Sequence, residues 1–194
     1  MSSLREQRRL RTTNTIRKAA VDLAYAHGLD AVTIDMISAK AGISPRTFFN
    51  YFPFREAALV PPDIEFSPQQ IERFSAAKGT LEEDLLTLLA PIMEALGNDR
   101  ETLRKSHELS QTAPKLLALS NSIFIKFDNA IAQVLAQRMR TNPESPDMLH
   151  LAALVTATIK CGFGIWVVTG QGSAESNLRA RLAAIPQLVC HLSD

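Results

Sequence analysis

Three observations predict an all-α protein in which a small helical head precedes a larger helical bundle. Apolar residues recur at helical spacing over most of the 194 residues. No segment shows the strict alternation of a half-buried strand. Capping residues, glycines and prolines fall where the apolar stripes begin and end. We expect one domain in residues 1–60 and a second in residues 61–194.

The first helix is predicted from Thr15 to His27. Small and aliphatic residues form one face of this segment, and Gly28 follows it as a left-handed C-cap. Four arginines precede it at positions 5, 8, 9 and 11. They are consistent either with an arm that reaches DNA or with a disordered, solubilising terminus.

The segment from Thr33 to Phe52 predicts two short helices joined by a tight turn. Thr33 is a good N-cap for the first of them, and Gly42 supplies a left-handed C-cap where it ends. Ser44 is the N-cap of the second helix. Pro45 takes its first position, where a missing N–H costs nothing. This arrangement is a helix-turn-helix, whose second helix enters the DNA major groove.

The second helix has an aromatic face and a polar face. Steps of about 100° per residue place Phe48 and Phe52 together as an anchor. The opposite side carries the groups that can bind DNA, which are Arg46, Thr47, Asn50 and Tyr51.

Each polar side chain on this face suits a part of the duplex. Arg46 can donate two hydrogen bonds to guanine O6 and N7, and Asn50 can hydrogen-bond to adenine or a phosphate. Thr47 can make an apolar contact with a thymine methyl group. Tyr51, at the edge of the face, suits a phosphate oxygen. We therefore expect base recognition by the centre of the helix and backbone contact at its edge.

The distribution of charge supports a polyanionic partner for the head. Residues 1–60 hold nine Lys and Arg against five Asp and Glu, a net charge of +4, whereas residues 61–194 carry −3. A basic head on a mildly acidic body is typical of a protein that binds nucleic acid through the head alone.

After residue 60 the sequence predicts a proline-bearing connector over 61–80 that holds at most one short helix, and then only helices. The predicted helices span 80–97, 99–112, 115–140, 147–169 and 174–192. The apolar run from Leu149 to Val168 is long enough to cross a bilayer. Because Lys160 lies at its centre, we expect a buried helix and no membrane partner.

The sequence offers no catalytic, metal or cofactor site. Its four histidines are scattered without metal-ligand spacing. No phosphate-binding glycine loop and no nucleophile motif is present. Its two cysteines, Cys161 and Cys190, lack a CxxC spacing and are expected to be reduced thiols in the cytoplasm. We expect no enzyme activity.

Aromatic pairs at helical spacing are candidates for a small-molecule cavity in the bundle. They are Phe124 with Phe127, and Phe163 with Trp166, while His107 is a candidate polar contact. The alternative for the aromatics is plain core packing, and for His107 a surface position.

Residues 17–59 resemble the DNA-binding segment of TetR-family transcriptional regulators. The resemblance rests on Gly28, Thr33, the turn Ala41–Ser44, the aromatic run Thr47–Phe52 and the Arg55-Glu56 pair. It implies DNA contacts by Ser44, Pro45, Arg46, Thr47, Phe49, Asn50 and Tyr51. It also implies phosphate contacts by Thr33 and Arg55. Many members have a tyrosine where Phe49 stands, so we expect an apolar contact there.

The resemblance further implies a homodimer that binds a pseudo-palindromic double-stranded DNA operator. Helices 147–169 and 174–192 would form the dimer interface, and a small-molecule effector would release the protein from DNA. The sequence alone does not identify the effector or the operator, and it does not distinguish a repressor from an activator. The rival interpretations are a helical enzyme and a protein-binding adaptor, each with a vestigial head.

Overall fold

The computed structural model describes residues 4–97 and 99–190. Within these residues every long regular element is an α-helix and no strand occurs, which confirms the predicted fold class. The helices are α1 (Leu4–His27), α2 (Ile34–Ala41), α3 (Pro45–Phe49), α4 (Pro68–Ala76), α5 (Leu81–Gly97), α6 (Arg100–Thr112), α7 (Pro114–Met139), α8 (Pro146–Thr169) and α9 (Ala174–Cys190). A single 3₁₀ turn spans Arg55–Ala58.

Contacts divide the chain into two compact units. The first contains the described residues up to Pro62 together with Glu101–Asn121. The second contains Asp63–Arg100 and the described residues from Ser122 onward. Most of α6 and the start of α7 therefore belong with the head, which sequence composition does not indicate. The domain boundary after residue 60 stays a prediction.

The first helix begins earlier than the sequence suggests. α1 starts at Leu4 and not at Thr15, so the arginines at 5, 8, 9 and 11 lie on the helix and do not precede it. Threonine hydroxyls at 12, 13 and 15 donate to the carbonyl oxygens of Arg8, Arg9 and Arg11 at 2.9–3.1 Å. These bonds satisfy the threonine hydroxyls within the helix, which begins before the apolar periodicity does.

The core of the first unit forms around α1. Ile16, Ala20 and Val21 are fully buried, as are Ile37 of α2 and Phe48 of α3. The 3₁₀ turn comes after α3 in this unit, and Pro61-Pro62 follows it closely.

The second unit is organised by α5, α8 and α9. At Gly162 the backbones of α8 and α9 approach closely, because a Cβ there would lie 3.2 Å from both the Asn177 carbonyl oxygen and Leu178 Cα. Arg138 of α7 donates to the carbonyl oxygens of Phe74 and Gly79 at 3.0 and 2.9 Å. Its guanidinium thereby fixes the end of α4 and the turn that follows.

One helix of the described chain, α8, is long and apolar enough to cross a membrane by length and composition. In its most apolar window 39% of the residues are buried inside the protein. A single helix of this kind is a weak indication of a span, since core helices of globular proteins have the same composition.

Candidate nucleic-acid interface and body pockets

The turn between α2 and α3 is built as the sequence predicts. Gly42 adopts a left-handed conformation with φ of 69°. Ser44 Oγ accepts from the Thr47 amide at 3.0 Å and lies 2.8 Å from the Thr47 hydroxyl. Pro45 occupies the first turn of α3. These caps fix the angle at which α3 leaves the turn.

α3 stands on an aromatic anchor. Phe48 is fully buried and Phe52 is 5% exposed, with ring centroids 5.7 Å apart. The guanidinium carbon of Arg17 lies 5.5 Å from the centroid of Phe52, and its Nε donates to the Val60 carbonyl at 3.1 Å. Burial lowers the pKa of Arg17 to about 10, so it stays charged at neutral pH. The anchor fixes how the opposite face of α3 is presented.

The opposite face of α3 is open to solvent. Ser44, Pro45, Arg46, Phe49 and Asn50 are exposed, whereas Thr47 and Tyr51 are half-buried. No ion pair or hydrogen bond engages the Arg46 side chain within the described residues. A free guanidinium on this face can donate to a base edge or a phosphate.

The helix proper ends at Phe49, three residues before the predicted end. Asn50 is its C-cap with right-handed helical dihedrals, φ of −74° and ψ of −14°. The amides of Tyr51 and Phe52 both donate to the Phe48 carbonyl, at 2.9 and 3.0 Å. The backbone thus completes one more turn, and Tyr51 keeps its place at the edge of the polar face.

Thr33 and Arg55 both have structural roles in the head. Thr33 Oγ1 accepts from the Met36 amide at 3.2 Å, which leaves its hydroxyl proton free to donate outward. Arg55 donates from Nη1 to the Val32 carbonyl at 2.6 Å and from Nη2 to Glu56 Oε1 at 3.2 Å. Sequence reasoning missed this second role of Arg55, because nothing in the pattern pairs it with Val32.

A cation–π contact joins α1 to the candidate interface. The guanidinium carbon of Arg9 lies 5.6 Å from the centroid of the Tyr51 ring. Neither expected form of the N-terminal arginines, a separate arm or a disordered terminus, includes this helical contact.

The carboxyl of Glu56 is held ionised by three partners. Burial opposes its ionisation, but a 2.7 Å hydrogen bond from Lys115, a backbone hydrogen bond and Arg55 outweigh burial and lower the pKa of Glu56. The 3₁₀ turn is thereby fixed to the start of α7 within the first unit.

The candidate effector residues form separate contacts. In the second unit Phe163 packs on Trp166 with centroids 5.8 Å apart, and Phe127 packs on Phe66 at 6.1 Å. The ring of Phe124 lies under Lys160 Nζ at 4.3 Å. His107 is half-buried on α6 and belongs to the first unit.

Two of the cavities in the second unit have aromatic side chains in their lining. One, of about 520 Å³, lies between residues 63–66, α4 and α7, and its lining includes Phe66, Ile71, Lys126 and Val134. The other, of about 630 Å³, lies beside the turn from α8 to α9 and includes Trp166. Phe66 and Ile71 were not predicted as lining residues, because the sequence of 61–80 indicates a connector with at most one short helix and no aromatic pair at helical spacing.

The described residues contain no group of three or more histidine, cysteine or carboxylate side chains that could hold a metal ion.

Two family models match the chain over most of its length. Residues 16–59 match the model of bacterial regulatory proteins of the tetR family. Residues 82–188 match the model described as the MftR C-terminal domain. No curated protein sequence is significantly similar to the chain.

Solved structures share the whole fold at low sequence identity. A complex of SmeT, the repressor of the Stenotrophomonas maltophilia multidrug efflux pump SmeDEF, with triclosan is 21% identical, with a TM-score of 0.55. The match covers 89% of this chain and 90% of that one. Thermus thermophilus FadR bound to lauroyl-CoA is 20% identical, with a TM-score of 0.54 over 89% and 92%. NalD, the secondary repressor of the Pseudomonas aeruginosa MexAB-OprM multidrug efflux pump, is 16% identical, with a TM-score of 0.55 over 91% and 94%.

Proposed function

This chain belongs to the TetR family of bacterial regulatory proteins, and we propose that it is a ligand-responsive repressor that binds a pseudo-palindromic operator as a homodimer. Members of this family are transcriptional regulators and not enzymes, so the interpretation as a helical enzyme is set aside. One observation carries the proposal: α3 has an exposed face of Arg46, Phe49 and Asn50 on a buried aromatic anchor.

The proposed DNA contacts follow from exposure and chemistry. Arg46, Asn50 and Thr47 read base edges, with Phe49 as an apolar contact. Tyr51, Thr33, Ser44, Pro45 and Arg55 bind or approach the backbone and set the register of the helix in the groove.

The proposed dimer uses the exposed face of α8 together with α9. Leu154, Ala157, Cys161, Ile165 and Val168 are exposed at spacings of three and four residues, so they form one stripe along α8. Soluble monomers rarely expose a continuous apolar stripe, whereas a two-fold interface buries the same surface on both subunits.

The proposed effector is a small apolar or amphipathic molecule bound in the second unit. The cavity of about 520 Å³ suits it best, because apolar side chains of Ile64, Phe66 and Val134 adjoin the Asp63–Lys126 ion pair. Triclosan and lauroyl-CoA, bound in two similar structures, are the first probes.

We further propose that α6 and α7 couple effector to DNA. Each of these helices contributes residues to both units, since α6 begins at Arg100 and α7 passes from residue 121 to 122 across the division. An effector that binds one conformation of the second unit more tightly than another favours that conformation. The affinity for DNA can then change by up to the same difference in binding free energy. A DNA-binding protein of this kind acts in the cytoplasm.

The experiment is a gel-shift assay with DNA from upstream of the protein's own gene, comparing wild type, Arg46→Ala and Arg73→Ala. A bidentate contact to guanine contributes about 1–3 kcal/mol, so Arg46→Ala should weaken specific binding tenfold or more. Arg73, an exposed arginine of α4, is the matched control and should change nothing. Unchanged specific binding by Arg46→Ala would refute the assignment of α3, and absence of any DNA binding would favour a protein-binding adaptor.

A further inference from the structure

The first three turns of α1 extend beyond the part of the helix that is packed in the head. Burial on α1 begins at Ile16, whereas the described side chains before it are exposed or half-buried. The packed part of α1 already completes the helix-turn-helix core, so the extension has no evident role in that core.

Three arginines of this extension share one face. Steps of about 100° per residue place Arg5, Arg8 and Arg9 within an arc of about 100°. Continued along the helix, the same arc contains Ile16, which is fully buried against the rest of the head. The arginine face is therefore the core-facing stripe of α1, prolonged past the end of the core.

The Arg9–Tyr51 contact shows where this face lies. The guanidinium carbon of Arg9 is 5.6 Å from the Tyr51 ring centroid, and Tyr51 sits at the edge of the polar face of α3. The exposed arginines Arg5 and Arg8 continue along the helix from that contact. The arginine face thus adjoins the proposed DNA interface within one compact unit.

The placement of these charges opposes helix formation. Like charges three or four residues apart on a helix repel each other, so Arg5 is unfavourably placed next to both Arg8 and Arg9. The first fifteen residues hold four arginines and one acidic residue, Glu6. No ion pair to Arg5, Arg8 or Arg9 occurs among the described residues. An external polyanion would offset this repulsion.

We infer that the N-terminal extension of α1 is a second DNA-binding element, whose Arg5, Arg8 and Arg9 face binds phosphates flanking the half-site that α3 reads. The inference rests on the proposed function, since Tyr51 lies at the edge of the face proposed to read the operator. Phosphate contacts add affinity and salt dependence without adding base specificity.

The test compares two double variants with wild type on one operator. Arg5→Gln/Arg8→Gln removes two charges of the arginine face and leaves Arg9 on Tyr51. Arg73→Gln/Lys78→Gln removes two exposed charges of the second unit as the matched control. Kd is measured by fluorescence anisotropy between 50 and 200 mM salt, on an operator with long flanks, and circular dichroism checks that helix content is retained.

The variant of the arginine face should bind more weakly and depend less on salt. Each phosphate contact contributes about 0.9 to the slope of log K against log salt. Loss of two arginines from each protomer of a dimer should therefore reduce the slope by about 2 to 4. The ratio of operator to scrambled-DNA affinity should stay within about twofold, because phosphates carry no sequence information.

Operators with shortened flanks test whether the arginines act on the phosphates that flank the half-site. Trimming should weaken wild type and the control equally and should leave the Arg5→Gln/Arg8→Gln variant almost unaffected. A slope and affinity equal to those of the control would overturn the inference while the proposed function stands. A loss that depends on the base sequence of the flank would also overturn it, by indicating groove reading. Failure of wild type to prefer any operator would overturn both.

Discussion

Lys105 Nζ lies 2.7 Å from Asp22 Oδ1 and joins α6 to α1 within the first unit. Tyr25 donates its hydroxyl to Glu108 at 2.9 Å, one turn further along both helices. The Ser106 hydroxyl donates to the carbonyl of Leu59 at the end of the 3₁₀ turn. α6 therefore acts as a structural helix of the head, although more than forty residues separate it from Leu59. A three-helix head of this size gains stability by packing on such a helix.

Replacement of Asp22 by Asn should destabilise the head at neutral pH. Both side chains of the Asp22–Lys105 pair are about one-fifth exposed. We therefore expect the free energy of unfolding to fall by about 1 kcal/mol, a value between those of fully exposed and fully buried charged pairs. The free energy of unfolding from urea denaturation measures it. Asp63→Asn is the control, because the Asp63–Lys126 pair is far more exposed and should contribute about 0.5 kcal/mol or less.

The effect of Asp22→Asn should disappear in acid. Burial of the Asp22 carboxyl opposes ionisation, but the hydrogen bond from Lys105 and the charges of Lys18, Lys105 and Lys40 lower its pKa overall. A depressed folded-state pKa stabilises the protein above the unfolded pKa of about 4, and this contribution is lost as the pH falls through the folded value. An equal loss of stability at pH 7 and at pH 3 would contradict the ion-pair account.

Phe49 should read a thymine methyl group in the operator. Its side chain is 55% exposed, and the edge-to-face contact with buried Phe48, at 5.7 Å and 90°, helps to orient the ring. Replacing single thymines by uracil deletes only the methyl group. Burial of one methyl group contributes about 0.8 kcal/mol. At one position of each half-site, a single uracil should therefore lower the affinity of wild type about fourfold.

Two variants separate Phe49 from its neighbour in this experiment. Phe49→Ala should bind the thymine and uracil operators equally well. Thr47→Ser, which removes the other methyl group able to face a thymine, should retain the sensitivity at the position read by Phe49. If uracil leaves wild-type binding unchanged at every position, Phe49 does not read a methyl group.

The local sequence predicts the helix-turn-helix well because its determinants are local. Thr33, Gly42, Ser44 and Pro45 act on backbone groups within three or four residues, so caps and turn follow from the sequence alone. By contrast, the contacts of Arg55 with Val32 and of Lys105 with Asp22 join residues 23 and 83 positions apart. Such pairs depend on the packing of whole helices and leave no periodic signal.

The cavity between residues 63–66, α4 and α7 should be the effector site. Ala130 lines it, so Ala130→Phe should fill part of its volume and prevent release of DNA by an effector while leaving operator binding intact. Ala118→Phe, at an exposed alanine of the same helix, is the matched control. Gel shifts titrated with triclosan and with lauroyl-CoA measure release. If Ala130→Phe responds as wild type does to a probe that releases wild type, that probe binds elsewhere.

The exposed stripe of α8 should hold the dimer together. Leu154 and Ile165 are each 37% exposed in the single chain, and a two-fold interface would bury them against their own copies. Leu154→Glu/Ile165→Glu would place unpaired carboxylates in that interface. We expect the dimer Kd to rise at least 100-fold, or about 2.7 kcal/mol, and operator binding to fall with it because the two heads no longer act together.

Sedimentation velocity over a range of concentrations measures this change. Ile125→Glu is the control, because Ile125 of α7 is 62% exposed yet lies outside the stripe. Cys161, exposed at the centre of the stripe, adds an independent readout. Mild oxidation should join two wild-type chains through Cys161 and should fail in the double variant. A double variant that sediments as a dimer would place the interface on another surface, since two buried carboxylates without partners cannot remain at a tight apolar contact.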